Sequence, residues 1–229
     1  VKVMKVLYVG SGNSAKLVDA VSLDDYAVCC VNNAWRLFRN HPVDAWIRSG
    51  DFPSEQKPKP GEFKFGTEVG FHEYAKTAED AKNYFNWDIK SPQHHCGYTI
   101  FFMGLYWIMM SLRPEKICLL GFDHDYNPAK VEKWNQAKRP NLQNQFCNKT
   151  ESSIQEWGEN FFKNLEADSF YGSYSTPDPL RLGATRLKDK FKLALESCEK
   201  LNIDLVNFSP VESEINIARK EPIDSLAPY

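Results

Sequence analysis

The chain has 229 residues, 42% of them hydrophobic, which is enough for one large domain with its own core and a subsidiary lobe. A net charge of −2 and a pI near 6.3 exclude a global drive toward nucleic acid or anionic membrane, so any anion recognition must be local. The six cysteines, at 29, 30, 96, 118, 147 and 198, form no C-x-x-C pair and sit mostly in apolar runs. They read as reduced, buried thiols of a cytoplasmic protein rather than a disulfide framework or a zinc site.

Lys5 to Val9, rich in Val, Leu and Tyr, predicts a buried strand that runs into Gly10-Ser11-Gly12-Asn13-Ser14 and then a helix start over Ala15 to Val21. A strand, a Gly-containing turn and a helix N-terminus can gather backbone N–H groups around a phosphate. The loop lacks the third glycine of a dinucleotide fingerprint and the Gly-Lys-Ser/Thr of a P-loop, and glycines at such a turn also serve purely backbone needs. Val1 to Val9 has no apolar stretch behind it, so no secretory signal is expected.

Tyr26 to Val31 predicts a second strand ending in Asn32-Asn33, and Val43 to Ile47 a third ending in Arg48-Ser49-Gly50-Asp51, before a Pro-rich loop from Pro53 to Gly61. Residues 62–90 are mixed, with a helix near Glu73 to Phe85. The apolar run Tyr98 to Leu112, of about 15 residues, falls short of the roughly 20 needed to span a bilayer and reads as a core helix. Lys116 to Leu120 is a fourth strand, leaving through Gly121-Phe122-Asp123-His124-Asp125-Tyr126.

Residues 127–179 are dominated by Asn, Gln, Lys and aromatics, too apolar for a linker, and read as a lid or small lobe inserted into an α/β domain of residues 1–126 and 180–229. Leu187, Phe191, Leu195 and Cys198 mark a helix within Leu180 to Leu201. Ile203 to Phe208 is the last strand, followed by Ser209-Pro210-Val211-Glu212-Ser213 and a short polar tail. Alternating strands and helices argue for a Rossmann-like α/β fold, a parallel sheet with helices on both faces, whose ligand lies beyond the carboxyl ends of the strands. Each expected strand ends in small polar or charged residues, which fits a shared site and also fits ordinary turn chemistry.

The order Gly10-Ser11-Gly12-Asn13-Ser14, Asn32, Ser49, Cys96-Gly97 opening a long helix, Gly121-Phe122-Asp123, and Asn207 to Ser213 resembles the bacterial sialyltransferases of glycosyltransferase family 42. It also resembles their relatives grouped with archaeal hydroxymethylpterin diphosphokinases. The resemblance spans about 180 residues. It implies a Rossmann-like sheet that binds a cytidine nucleotide and transfers a sugar from a CMP donor without a metal or other cofactor. Carried over residue by residue, it implies nucleotide contacts at Ser11, Asn32, Ser49, Cys96, Gly97 and Asp123; the pattern of polar strand exits adds Gly10, Gly12, Asn13, Ser14, Asn33 and Asp51 to the candidate nucleotide site. Tyrosines of the lid, with Tyr126, Tyr171 and Tyr174 as candidates, would reach the phosphate.

Family sialyltransferases place a His shortly before the last helix to deprotonate the acceptor, and between Thr176 and Asp189 this chain has none. His124 and Asp178 are the candidates for the base, His on pKa and Asp only if burial raises its value. His94-His95 invite a metal, but adjacent residues point apart and no third ligand stands at a metal-type spacing; Asp123-His124-Asp125 could hold a divalent cation as an Asp-x-Asp pair does, and the family resemblance argues against it, so no metal is expected. Arg181 and Arg186 could pair with a phosphate. The expected partners are a nucleotide or nucleotide sugar and an acceptor of unidentified class, with neither nucleic acid nor a membrane span, and self-association stays open. Two alternatives stand beside the transferase: a diphosphokinase-like phosphotransferase holding Mg2+ through Asp51, Asp123 and Asp125, and a non-catalytic nucleotide-binding protein.

Overall fold

The computed structural model describes residues 4–50, 52, 54–87, 99–124, 184–213 and 215–226. Among them the strands are β1 (Lys5–Val9), β2 (Ala27–Val31), β3 (Val43–Ile47), β4 (Phe65–Val69), β5 (Lys116–Leu120), β6 (Asp204–Asn207) and β7 (Arg219–Lys220). They form one sheet in the order β4-β3-β2-β1-β5-β6-β7, every neighbouring pair parallel. The fold is therefore the α/β, Rossmann-like class expected. The chain steps outward from β1 through β4, returns to the other side of β1 as β5, and steps outward again, so the strand order reverses between β1 and β5.

The buried strands explain why Val, Leu, Ile and Cys run almost unbroken through them: both faces are covered. Val6 and Tyr8 of β1, Cys29 and Val31 of β2, Ala45 and Ile47 of β3 and Ile117 and Leu119 of β5 face one core. The α-helices α1 (Phe71–Phe85), α2 (Ile100–Trp107) and α3 (Ala184–Lys200) supply its other side through Tyr74, Phe102, Leu105 and Phe191. Leu7, Val9, Cys30, Trp46, Cys118 and Leu120 point the other way. That face is covered by two 3-10 helices, Asn13–Ala20 and Asn32–Phe38, through Ala15, Val18, Trp35 and Phe38. The helix expected after the first loop is thus a 3-10 helix, tightened at its start by Ala15 N–H donating to the Gly12 carbonyl at 3.0 Å.

Neither β4 nor β7 was expected from the sequence. β4 is an edge strand whose first four residues are exposed, including Gly66 and Glu68, so it lacks an apolar run. β7 is two exposed residues held by Arg219, which grips both Asp204 carboxylate oxygens at 2.9 and 3.0 Å. The expected helix over Glu73 to Phe85 starts two residues earlier, where the Glu73 carboxylate accepts the Gly70 N–H at 2.9 Å. The apolar run from Tyr98 becomes α2, continues as a π-helical turn over Ile108–Leu112, and stops at Arg113 with φ +50° before Pro114. No described helix is long and apolar enough to cross a membrane. The expected lid at 127–179 lies outside the described residues.

Tyr8 joins the sheet to α2. Its buried hydroxyl donates to the carbonyls of Ile100 and Phe101, at 3.2 and 3.1 Å. Gly104 lets the helix come that close, because a Cβ at this position would run into the Tyr8 hydroxyl. Gly104→Ala is expected to destabilise the protein by about 1–3 kcal/mol through overpacking, read as a fall in urea midpoint. Adding Tyr8→Phe to that variant should recover part of the loss, since it removes the obstructing oxygen; a further drop would contradict the contact.

Candidate functional site

Because every pair is parallel, the carboxyl ends of the strands lie along one edge, and the register brings them to matching height: Val9 stands opposite both Cys30 and Leu120, and Val31 opposite Ile47. The polar exits after β1, β2, β3, β5 and β6 therefore share this edge. At the reversal point the exits of β1 and β5 touch. Gly10 N–H donates to the Leu120 carbonyl and Gly12 N–H to the Gly121 carbonyl, each at 2.7 Å. A Cβ on Gly12 would lie 2.6 Å from the Asp123 carboxylate and 2.8 Å from the Gly121 oxygen, and Gly121 itself takes φ +74°. These glycines serve the close passage of two loops.

Asp123 sits where those loops meet, 8% exposed. Its carboxylate accepts the Ser14 N–H at 3.0 Å, the Ser14 hydroxyl, and the Ser209 hydroxyl at 2.6 Å. Ser14 Oγ in turn accepts the Gly121 N–H at 3.0 Å, and Ser209 Oγ accepts the Val211 N–H at 3.2 Å. One side chain thus ties together the exits of β1, β5 and β6. Two further bonds secure the same corner: the Ser213 hydroxyl donates to the His124 carbonyl at 2.9 Å, and the Asn216 amide to the Phe122 carbonyl at 3.0 Å. Ser209 and Ser213 belong to the strand exit expected at the shared site, though neither was expected to contact the nucleotide, and Asn216 was not expected at all. The signal for Ser209 was its place after the last strand, the position Ser49 occupies after β3.

The β2 and β3 exits are joined through Asn32, which takes the left-handed φ of +44°. Its carbonyl accepts the Trp46 indole N–H at 2.9 Å and its side-chain oxygen accepts the Ser49 N–H at 2.9 Å. Asn33 turns inward instead, where its buried amide donates to Gln56. Ser11, Gly12 and Ser49 are partly buried and Asn13 is exposed, all on the site edge.

His124 follows Asp123 with φ +45° and packs into an aromatic collar, its ring centroid 5.1 Å from Phe101 and 6.3 Å from both Phe122 and Phe191. Both ring nitrogens are screened from solvent. Burial pushes its pKa down to about 4, partly opposed by the neighbouring Asp123 carboxylate. The imidazole is therefore neutral near pH 7. The thiols have the opposite shift: burial pushes Cys118 and Cys198 up to about 12, which leaves them unreactive. Among the described residues no group of three or more His, Cys, Asp or Glu could hold a metal ion. Asp51, His94, His95, Cys96, Gly97, Asp125, Tyr126, Tyr171, Tyr174, Asp178 and Arg181, and the side chain of Arg186, lie outside the described residues.

Fold and site together define an α/β protein of Rossmann-like architecture whose polar strand exits converge where the strand order reverses. No family model and no curated protein matches the chain. Among solved structures it is similar to the sialyltransferase CST-II, determined as an Asn-to-Ala variant in complex with CMP, at 16% identity and a TM-score of 0.49 over 98% of this chain and 89% of that one. It is also similar to the sialyltransferase CstII from Campylobacter jejuni in complex with a substrate analogue, cytidine-5'-monophosphate, at 14% identity and a TM-score of 0.35 over 58% of this chain and 74% of that one.

The depressed His124 pKa has a consequence for stability. Between about pH 6.5 and 4 the unfolded chain binds a proton at this imidazole that the folded chain does not, so stability should fall as pH drops through that window. The loss amounts to at most about 3 kcal/mol. Urea unfolding at pH 7 and pH 5 measures it. His124→Asn keeps a residue at ease in the left-handed region and should flatten that slope; an unchanged slope would place the titration elsewhere.

Proposed function

We propose that this protein binds a CMP-type nucleotide or nucleotide sugar at the carboxyl edge of its sheet and acts as a sialyltransferase-like glycosyltransferase without a metal. The observation that carries this reading is the gathering, on one edge, of those described residues on which the sequence resemblance rests. Gly10 to Ser14, Asn32, Ser49, Asp123 and Asn207 to Ser213 are far apart in the chain and adjacent at the strand exits. In open parallel sheets the crevice at the reversal of strand order is the general ligand position.

Asn32 is the best-placed reader of the nucleotide. Its side-chain oxygen is committed to the Ser49 N–H, which orients the amide and leaves the NH2 group as its recognition face. That face suits acceptor atoms such as ribose oxygens or the carbonyl of a pyrimidine. Ser11, Asn13 and Ser49 add short polar side chains around it, with Asp51, Cys96, Gly97 and Tyr126 completing the proposed set. Proton removal from the acceptor falls to His124 or Asp178.

One observation favours a second reading, a nucleotide-binding protein that performs no transfer. His124 is enclosed by Phe101, Phe122 and Phe191, and its lowered pKa makes it a weak base.

Thermal unfolding with nucleotides tests both. CMP at about a hundred times its Kd adds about 2.7 kcal/mol, which for a chain of this size raises Tm by roughly 5–10 °C. The shift is expected with EDTA present and unchanged by Mg2+. A shift that requires Mg2+ would favour the phosphotransferase, and no shift with CMP or CDP overturns the nucleotide reading. Release of CMP from a CMP-sugar with a carbohydrate acceptor separates the transferase from the silent binder.

A further inference from the structure

We propose that Asp123 is a resident anion, filling the place at the β1 exit that a ligand phosphate would otherwise take. A nucleotide then lies with its uncharged part over the β1–β5 crevice and its phosphate directed away. The orientation rests on the nucleotide reading above; the exclusion of phosphate does not.

Three of the amides that a strand-loop-helix turn could offer to an anion are engaged within the protein at this turn. Gly12 N–H goes to the Gly121 carbonyl, Ser14 N–H to the Asp123 carboxylate and Ala15 N–H to the Gly12 carbonyl. The carboxylate also draws in two hydroxyls, from Ser14 on one side and Ser209 on the other. Its partners among the described residues are hydroxyls and amides, so its negative charge is dispersed but not cancelled by a cation. Space points the same way. A single carbon added at Gly12 would stand 2.6 Å from this carboxylate, and one added at Gly10 would strike the Gly121 carbonyl. A tetrahedral phosphate is larger than either, and would bring a second anion within a few ångströms of the first in a poorly solvated corner.

Asp123 is thus a specificity-determining residue. It makes the reversal point hospitable to hydroxyl and amine donors, such as those of a ribose, a sugar or a base, and hostile to phosphoryl oxygens. It also explains why the loop carries glycines without the remaining residues of a phosphate-binding fingerprint: the glycines admit the β5 exit, and the β5 exit brings its own anion.

Amide NMR shifts of the wild-type chain decide the matter without relying on a variant's folding. Titration with inorganic phosphate or pyrophosphate should leave the Gly12, Ser14 and Gly121 resonances unmoved, whereas cytidine should move them. Asp123→Ala removes both the charge and the atoms that fill the space, and is expected to raise phosphate affinity at this loop by about tenfold or more. A phosphate-induced shift at Ser14 in the wild-type chain overturns the assignment. Silence from phosphate together with silence from cytidine and CMP upholds the exclusion and overturns the nucleotide reading with its orientation.

Discussion

The corner formed by Ser14, Asp123 and Ser209 holds three strand exits in one arrangement, and the shape of the crevice depends on it. Asp123 reaches residues 109 and 86 positions away in the chain, so the contact closes long loops as well as satisfying local donors. A buried carboxylate is tolerable only when its lone pairs are occupied. Here one backbone amide and two hydroxyls occupy three of about four, and each hydroxyl is itself fixed by a further amide. Hydrogen bonds to a charged acceptor contribute about 1.5–3 kcal/mol each, roughly twice a neutral one, and a connected set rigidifies its surroundings. That rigidity fixes a carboxylate where the β1, β5 and β6 exits meet.

The central strands were legible because burial on both faces leaves a distinctive trace. Lys5 to Val9, Val43 to Ile47 and Lys116 to Leu120 are short, apolar and bounded by polar residues, and the structure starts and ends them at those residues. Edge strands leave no such trace. β4 has Gly, Thr and Glu facing solvent, and is specified by β3 through pairs such as Ala45 with Thr67 rather than by its own composition. β7 is specified by Asp204 through Arg219 in the same way. Tertiary partners decide these segments, and a linear reading does not see tertiary partners.

For the site, the pattern of strand exits was more informative than any single motif. A parallel sheet converts sequence-distant polar termini into one edge, which is why Ser14 and Ser209 meet although nothing in their neighbourhoods relates them. The use of each residue was less legible. Gly10 and Gly12 are equally suited to admit a phosphate or a second loop, since both demand the absence of a Cβ; the difference lies in Gly121 and Asp123, which belong to another strand. Asn32 and Asn33 are identical in type and adjacent, yet one bridges to Ser49 at the edge and the other turns inward to Gln56. The left-handed turn at Asn32, where the strand gives way to the 3-10 helix, stands between the two positions.

The backbone carries a further sign that this edge is specialised. Left-handed residues in proteins commonly close helices, and Asn86, Arg113 and Asn202 do so here, after α1, after the π-helical turn and after α3. Asn32 and His124 differ, because each takes positive φ in the segment that leaves a strand, one immediately after β2 and the other in the loop after β5. Such conformations cost of order 1 kcal/mol or more for a residue with a Cβ and persist where the surroundings over-determine them. Asn32 is held by Trp46 and Ser49, and His124 by Ser213 and the ring cluster around Phe101. Neither conformation is needed to end a helix, so the stabilisation spent on them serves the placement of the side chains. Asn32 is set at the edge, and the His124 ring is packed among Phe101, Phe122 and Phe191.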